Sequence, residues 1–409
     1  MTQPAHLELD NLMHPDVLAN PYPTYRYLRE HDPVHWNPVF RSWFLSRYDD
    51  IVAALQHPHL SSVTWKLRES RYPLSADDLA ATKQILPYFV SFMQGLDDPE
   101  HARQRGLMNK AFSARTVERL RPRVQQLVDE LLDRALSARR IELMQDLAFP
   151  LPWTIICELL GIPEEGHPII KASSDALARY IVIVAPVAGQ LAQITEALQQ
   201  AHDYLAHLIA VRRADPQDDL LSAMISAEEN GAMLSETEII VACTMLLLAG
   251  HETTTNMIGN GMVALLCHPE QLARLRADPQ LITSAVEELL RYDGSVQVLP
   301  RVATEDITIN GTLIRQGQQV NLGVSAANRD PAQFADPERL DIGRQDGRPL
   351  SFGYGMHYCL GAALARLEMQ ITIGTLLRRT SRITLASDNI QWRPNFVLRG
   401  VTVLPLLLE

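Results

Sequence analysis

Apolar residues recur at helical spacing from about Ser113 to Gly161, as in Val117, Leu120, Val124, Leu127, Leu131 and Leu132. That period of 3.6 predicts helix through the middle of the chain. Ser235-Glu236-Thr237-Glu238 reads as a capping box, with Ser235 at the cap and Glu238 three residues on. The helical pattern behind it continues to about Cys267 and stops before His268-Pro269. At 1.5 Å per residue this is a helix of about 48 Å. Elsewhere the pattern shortens to strands. After Asn20-Pro21-Tyr22-Pro23 and a short helix over residues 24–31, Val34-His35-Trp36 and Ser42-Trp43-Phe44-Leu45 suit a hairpin turned at Asn37-Pro38. Asn310-Gly311, between Ile307-Thr308-Ile309 and Thr312-Leu313-Ile314, is a two-residue hairpin turn in which both central positions favour positive φ. A further hairpin is expected near Arg399-Gly400. The expected fold is mainly α with small antiparallel β-sheets, an α+β arrangement weighted to α. No repeat or Gly/Ser linker divides the chain, so one integrated domain over residues 1–409 is expected.

Composition narrows the function classes. With 46% apolar and 21% charged residues the chain is an ordinary globular one. Its formal charge, 37 − 48 = −11, argues against a nucleic-acid binder. Four cysteines, Cys157, Cys243, Cys267 and Cys359, form no CxxC pair, which excludes a zinc knuckle and a disulfide scaffold. The longest apolar run, Ile239 to Gly250, is about 12 residues, short of the roughly 20 a membrane span needs. No basic-then-apolar leader opens the chain. A cytoplasmic protein without membrane or nucleic-acid partners is expected.

Chemistry concentrates in two segments. In Phe352-Gly353-Tyr354-Gly355-Met356-His357-Tyr358-Cys359-Leu360-Gly361, three glycines leave room against the backbone for something flat. Leu360, Leu364, Leu367 and Ile371 then start a helix. A cysteine at a helix N-terminus is held as thiolate by the dipole and free N–H groups, so Cys359 is a metal ligand or a nucleophile. The other three cysteines lie in apolar helical runs and read as core. In the long helix, Ala249-Gly250-His251-Glu252-Thr253-Thr254-Thr255 sets a glycine, a carboxylate and three β-branched hydroxyls against helix propensity. Such threonines can bond a carbonyl one turn back and loosen the ladder. Met245, Leu248, Ala249, Glu252 and Thr253 share one face.

The loop resembles the heme-binding loop of the cytochrome P450 superfamily, Phe-Gly-x-Gly-x-His-x-Cys-x-Gly, at every fixed position, and Ala-Gly-x-Glu-Thr-Thr resembles that family's distal motif. The resemblance implies the P450 fold, of the bacterial soluble type. It implies heme b as cofactor with Cys359 as axial thiolate ligand of the iron. Phe352, Gly353, His357 and Gly361 would cradle the heme, and His101, Arg105, Arg301 and His357 would meet its propionates. Thr253 would hydrogen-bond dioxygen, and Glu252 would relay protons to it. Glu288 and Arg291, read alone a helix-surface pair at i, i+3, match the family's Glu-x-x-Arg; with Arg339 of Asp336-Pro337-Glu338-Arg339 they would form a structural triad.

A monooxygenase is then expected, hydroxylating an apolar, moderately large substrate of secondary metabolism: a polyketide or macrolide, terpenoid, steroid or fatty acyl group. Phe89, Phe92, Tyr180, Met245, Leu248, Ala249, Val296, Val298 and Phe396 are the candidate pocket wall, each also readable as ordinary core. By the same resemblance, Leu86 to Met93 and Tyr180 to Gly189 would form pocket wall and lid. Electrons would come from a ferredoxin or flavodoxin with its reductase, docking on Arg103, Lys110, Arg115, Arg344, Arg348 and Arg366. A peroxide-driven heme enzyme and a non-catalytic heme sensor are the rival readings, and neither requires the Glu252–Thr253 pair.

Overall fold

A computed structural model describes residues 9–64, 75–182, 189–229, 231–387 and 389–409. Contacts gather the chain into two compact units, each built from separated segments: residues 1–60, 120–152 and 252–409 form the first, and residues 61–119 and 153–251 the second.

In the first unit, Val34–Asn37 and Ser42–Leu45 pair antiparallel as the alternation predicts, with Val34 opposite Leu45. The turn is made differently. Asn37 Oδ1 accepts the Phe40 N–H at 2.9 Å, and the positive φ of 49° falls on Arg41. Gln319–Leu322 joins this hairpin in parallel, Gln319 opposite Ser42, and pairs antiparallel with Leu299–Ala303, Val320 opposite Arg301. That parallel pair departs from the expected all-antiparallel sheets. It joins positions more than 270 residues apart, a relation that local alternation does not encode. Buried Leu45, Ile51, Val320, Leu322 and Phe334 form one core cluster beside this sheet, and Tyr25, Leu28, Phe44 and Val298 another. Asn310 and Gly311 adopt φ 48° and 78°, and Ile307–Ile309 pairs with Thr312–Ile314, as their sequence predicts. At the C-terminal hairpin, Gln391–Trp392 pairs with Val401–Val403. The connection spans residues 393–400, with Asn395 Oδ1 accepting the N–H groups of Val397 and Leu398 and Gly400 standing at its base.

The apolar stripe from Ser113 to Gly161 is not one helix. Arg121–Ala138 ends where Arg139 turns left-handed at φ 51°; strand Arg140–Glu142, a π-turn over Met144–Ala148 and helix Pro150–Leu160 follow. The residues after Arg139 remain apolar because Ile141 enters a three-stranded antiparallel sheet with Pro405–Leu408 and Ile383–Leu385.

The second unit holds Glu100–Ala111, His167–Val182, Gln190–Ala214 and Leu220–Ser226. The capping box forms in both directions: Ser235 Oγ accepts the Glu238 N–H at 3.2 Å and Glu238 Oε2 accepts the Ser235 N–H at 2.8 Å. It starts Glu236–Cys267, a single helix of 32 residues that passes from the second unit into the first after His251. Gly250 and the threonines do not interrupt it, since their side chains find partners: Thr255 Oγ1 donates to Ala148 O at 3.0 Å. Among the described residues no single helix is long and apolar enough to cross a membrane.

Candidate functional site

Residues 352–361 form a loop held open by two left-handed glycines, Gly353 at φ 75° and Gly355 at 74°. Any other residue would be strained at those angles. The loop closes where Cys359 N–H donates to Phe352 O at 2.9 Å. Gly361 caps the helix Ala362–Arg379, so Cys359 lies just ahead of its free N–H groups. A Cβ added at Gly361 would meet nothing within 4 Å, and one at Gly353 would lie 3.8 Å from Leu299, beside the strand that carries Arg301. Cys359 is exposed, whereas burial pushes the Cys157 and Cys243 thiols up to about 12. Cys267, expected as core, is exposed at the end of its helix, although partial desolvation still raises its thiol. Buried Arg301 and partly exposed His357 belong to this same unit.

Two side chains unforeseen in this role hold the loop. Asn328 Oδ1 accepts the Leu350 N–H at 2.7 Å and its Nδ2 donates to Ser351 Oγ at 2.9 Å. Arg366, one of the expected docking cations, instead lies over the Phe352 ring at 4.4 Å, donates to the Tyr358 hydroxyl at 3.1 Å and pairs with Glu287. Below Asn328 sits the buried pair. Arg291 Nε and Nη2 donate to Glu288 at 2.6 and 2.8 Å, and Nη1 donates to the carbonyls of Asn328 and Pro337, each at 2.8 Å. This pair is core, with side chains 0% and 1% exposed.

The triad's third member is Arg344, which replaces Arg339. Arg344 Nε reaches Glu288 Oε2 at 3.1 Å and its side chain is 8% exposed. The Arg339 side chain is 64% exposed on Asp341, and only its carbonyl accepts from Arg291 and Arg344. Arg344 is thereby also removed from the exposed docking face. Spacing along the chain could not separate two arginines five residues apart; the folded backbone sets Arg344 on Glu288 and leaves exposed Arg339 on Asp341.

On the long helix, partly buried Glu252 and Thr253 open the first unit's share. Glu252 Oε1 accepts from Arg393 Nη1, a partner that no motif indicated. In the second unit, His101 is buried, with Nδ1 3.4 Å from Asp98 Oδ1; burial lowers its ring pKa against the opposing pull of Asp98. Arg105 donates to Asn109 at 3.2 Å. Arg103 pairs with Glu100 and Glu238, which occupies another expected docking cation. The Phe89 and Tyr180 rings lie 5.3 Å apart; Phe92, Met245 and Leu248 are buried and Ala249 is exposed. Residues 183–188 of the expected lid fall outside the described residues.

One expected pocket residue is core: Val298 is buried in the cluster of Tyr25, Phe44 and Ala326. Phe396 is partly buried against that cluster and stacks on Phe40 at 5.0 Å. Val296 is partly buried, bridging to Leu398.

The donor set fits heme. Among the described residues no group of three or more His, Cys, Asp or Glu side chains could hold a bare metal ion. One thiol at a helix N-terminus suits an iron that arrives with four ligands in a flat macrocycle, and the open space over Gly361 admits such a face.

The family model Cytochrome P450 matches residues 34–392. The chain is 37% identical over 401 residues to the polyketide biosynthesis cytochrome P450 PksS of Bacillus subtilis (strain 168), covering 95% of this chain and 96% of that one. It is 40% identical over 400 residues to the cytochrome P450 monooxygenase PikC of Streptomyces venezuelae, covering 96% and 92%. The crystal structure of P450BioI in complex with hexadec-9Z-enoic acid ligated acyl carrier protein superposes with a TM-score of 0.88 at 37% identity, covering 97% of this chain and 99% of that one. Full-length likeness to named P450s thus joins a cysteine loop built for a flat cofactor, and the chain belongs to the cytochrome P450 family, monooxygenases whose heme iron takes a cysteine thiolate.

Proposed function

We propose that Cys359 is the heme ligand and that Glu252 and Thr253 manage protons in the oxidation of an apolar acyl or polyketide-type substrate. The observation that carries this reading is Cys359 itself, an exposed thiol at a helix N-terminus in a loop tied down by Asn328 and Arg366. Heme, when bound, supplies dioxygen reduction by two external electrons and insertion of one oxygen atom into the substrate. The chain's own residues do the rest. The helix dipole and N–H groups beyond Gly361 keep the Cys359 sulfur ionised. His101, Arg105, Arg301 and His357 hold the propionates, His101 as a neutral hydrogen-bond donor because burial lowers its pKa. Thr253 donates a hydrogen bond to dioxygen, and Glu252 carries the proton that replaces the one given up.

Apolar Phe89, Phe92, Tyr180, Met245, Leu248 and Ala249 support an apolar substrate. The names of PksS and of the P450BioI complex support a polyketide or a carrier-bound fatty acyl chain. Electrons come from a ferredoxin or flavodoxin in the cytoplasm, with exposed Arg348, Lys110 and Arg115 as remaining docking cations.

The test is the carbon monoxide difference spectrum of the dithionite-reduced protein. A Soret band at the red-shifted thiolate position, lost in Cys359→Ser, is expected; an unchanged band in that variant removes Cys359 as ligand. Thr253→Ala should bind substrate while diverting reduced oxygen to peroxide, and undiminished coupling to product would refute its role.

A further inference from the structure

We propose that Arg393 is the positioning residue for Glu252 and that protons reach this carboxylate through a hydrated seam under the 393–400 loop. The proposal rests on the reading of Glu252 as proton relay. Arg393 stands directly after strand Gln391–Trp392, and its backbone is fixed: Arg393 N–H donates to Gly400 O at 2.9 Å and Arg393 O accepts the Asn395 N–H at 2.8 Å. The loop is pinned in turn, since Gln297 N–H donates to Val397 O at 2.9 Å and Arg399 N–H to Ser295 O at 2.7 Å. From this rigid base Arg393 Nη1 donates to Glu252 Oε1, the two side chains being 33% and 18% exposed. A charge-assisted bond of this kind fixes the carboxylate's direction more firmly than a neutral one.

A second set of observations, a small cavity and buried polar atoms without protein partners, supports the hydrated seam. Arg393 lines a cavity of about 10 Å³, room for about one water molecule, together with Tyr25, Gln297, Asn395, Phe396 and Arg399. Gln297 is buried, and no described protein group reaches its Oε1. Behind it the same condition recurs. Asn256 and Asn260 follow Glu252 at i+4 and i+8, on the same helix face. Both are fully buried; Asn256 Nδ2 and Oδ1, Asn260 Oδ1 and Ser295 Oγ all lack a described protein partner. These atoms are contiguous with the loop. Asn256 abuts Gly400 so closely that a Cβ there would lie 2.1 Å from its Oδ1, and Asn260 Nδ2 donates to Arg399 O at 3.1 Å. Five polar atoms left dry would each carry a desolvation penalty that native interiors rarely tolerate. Bound water along the seam satisfies them and gives Glu252 a proton source: a proton leaves a seam water for the carboxylate, and bulk solvent restores it at the cavity. The other charged group lining the cavity, Arg399, is paired with Asp293 at 2.7 Å.

The experiment compares Arg393→Gln, Arg393→Lys and Asn256→Leu with Glu252→Gln in heme-loaded protein. Infrared carboxylate bands of Glu252, isolated by subtracting the Glu252→Gln spectrum, should lose their guanidinium-bound position in Arg393→Gln and partly regain it in Arg393→Lys. Coupled product formation should fall about tenfold in Arg393→Gln, with KM unchanged and peroxide raised, and the solvent isotope effect should grow in Asn256→Leu. Unmoved bands in Arg393→Gln, or a raised KM with unchanged kcat, would overturn the positioning role. An unchanged isotope effect in Asn256→Leu would overturn the seam. Unimpaired coupling in Glu252→Gln would instead refute the relay reading beneath both.

Discussion

Arg344→Ala and Arg339→Ala separate two assignments of the triad's third arm. Arg344 lies almost wholly buried and donates to Glu288 at 3.1 Å, to Asp346 at 3.1 Å and to Ala335 O at 2.6 Å. Hydrogen bonds that involve charge contribute about 1.5 to 3 kcal/mol each where both partners are buried. The Asp346 contact is partly exposed, and Glu288 keeps Arg291 and the Asp341 N–H when Arg344 is removed. A net loss of about 2 to 3 kcal/mol is therefore expected, not the sum of the bonds. Arg339→Ala removes only a largely exposed pair with Asp341 and leaves the Arg339 carbonyl in place. That pair is screened and is worth at most about 0.5 kcal/mol. For 409 residues, an unfolding entropy near 2.1 cal/mol/K per residue converts 1 kcal/mol to about 1.2 °C. Differential scanning should then show a drop of about 2 to 4 °C for Arg344→Ala and under 1 °C for Arg339→Ala. Because Glu288 and Arg291 carry Asn328 and so the cysteine loop, heme loss should quicken in Arg344→Ala alone. An equal or larger effect of Arg339→Ala would refute the reasoning.

Two pH effects follow from other groups. Glu368 is fully buried, no described protein group reaches either oxygen, and burial holds its carboxyl well above the ordinary range. The folded protein thus binds a proton that the unfolded chain releases, so stability falls as pH rises past the ordinary carboxyl value, by about 1.4 kcal/mol per unit until the folded value is reached. Glu368→Gln should flatten that decline above the ordinary carboxyl value in urea unfolding; identical slopes would contradict it. Asp341 behaves oppositely. Partial desolvation raises its carboxyl, but the Gly343 N–H, Arg274 and Arg339 outweigh this and bring it to about 2. Its contribution is complete above about pH 4 and is lost between about pH 4 and 2. Asp341→Asn should lessen the acid sensitivity of unfolding in that window, and an unaltered acid midpoint would show that the carboxylate is not stabilising.

Much of the molecule was legible in local sequence because its causes are local. The capping box at Ser235 and the Asn310-Gly311 turn involve backbone atoms within a few residues, so chain spacing states their geometry. The cysteine loop is similar: Gly353, Gly355 and the Cys359–Phe352 bond lie within eight residues, and the flat-cofactor chemistry is written there. Tertiary structure alone decided what depends on distant segments meeting. Gln319–Leu322 lies parallel to Ser42–Leu45 because apolar faces from far apart share a core. Val298 is core because the N-terminal helices cover it, although composition also suits a pocket wall. Arg344 and not Arg339 reaches Glu288, and Arg393 reaches Glu252 across 141 residues, because a cation's partner is set by which backbone turns toward it. Residue types name the chemistry a segment can perform; packing, which takes charges out of water only where partners wait, assigns the residues that perform it.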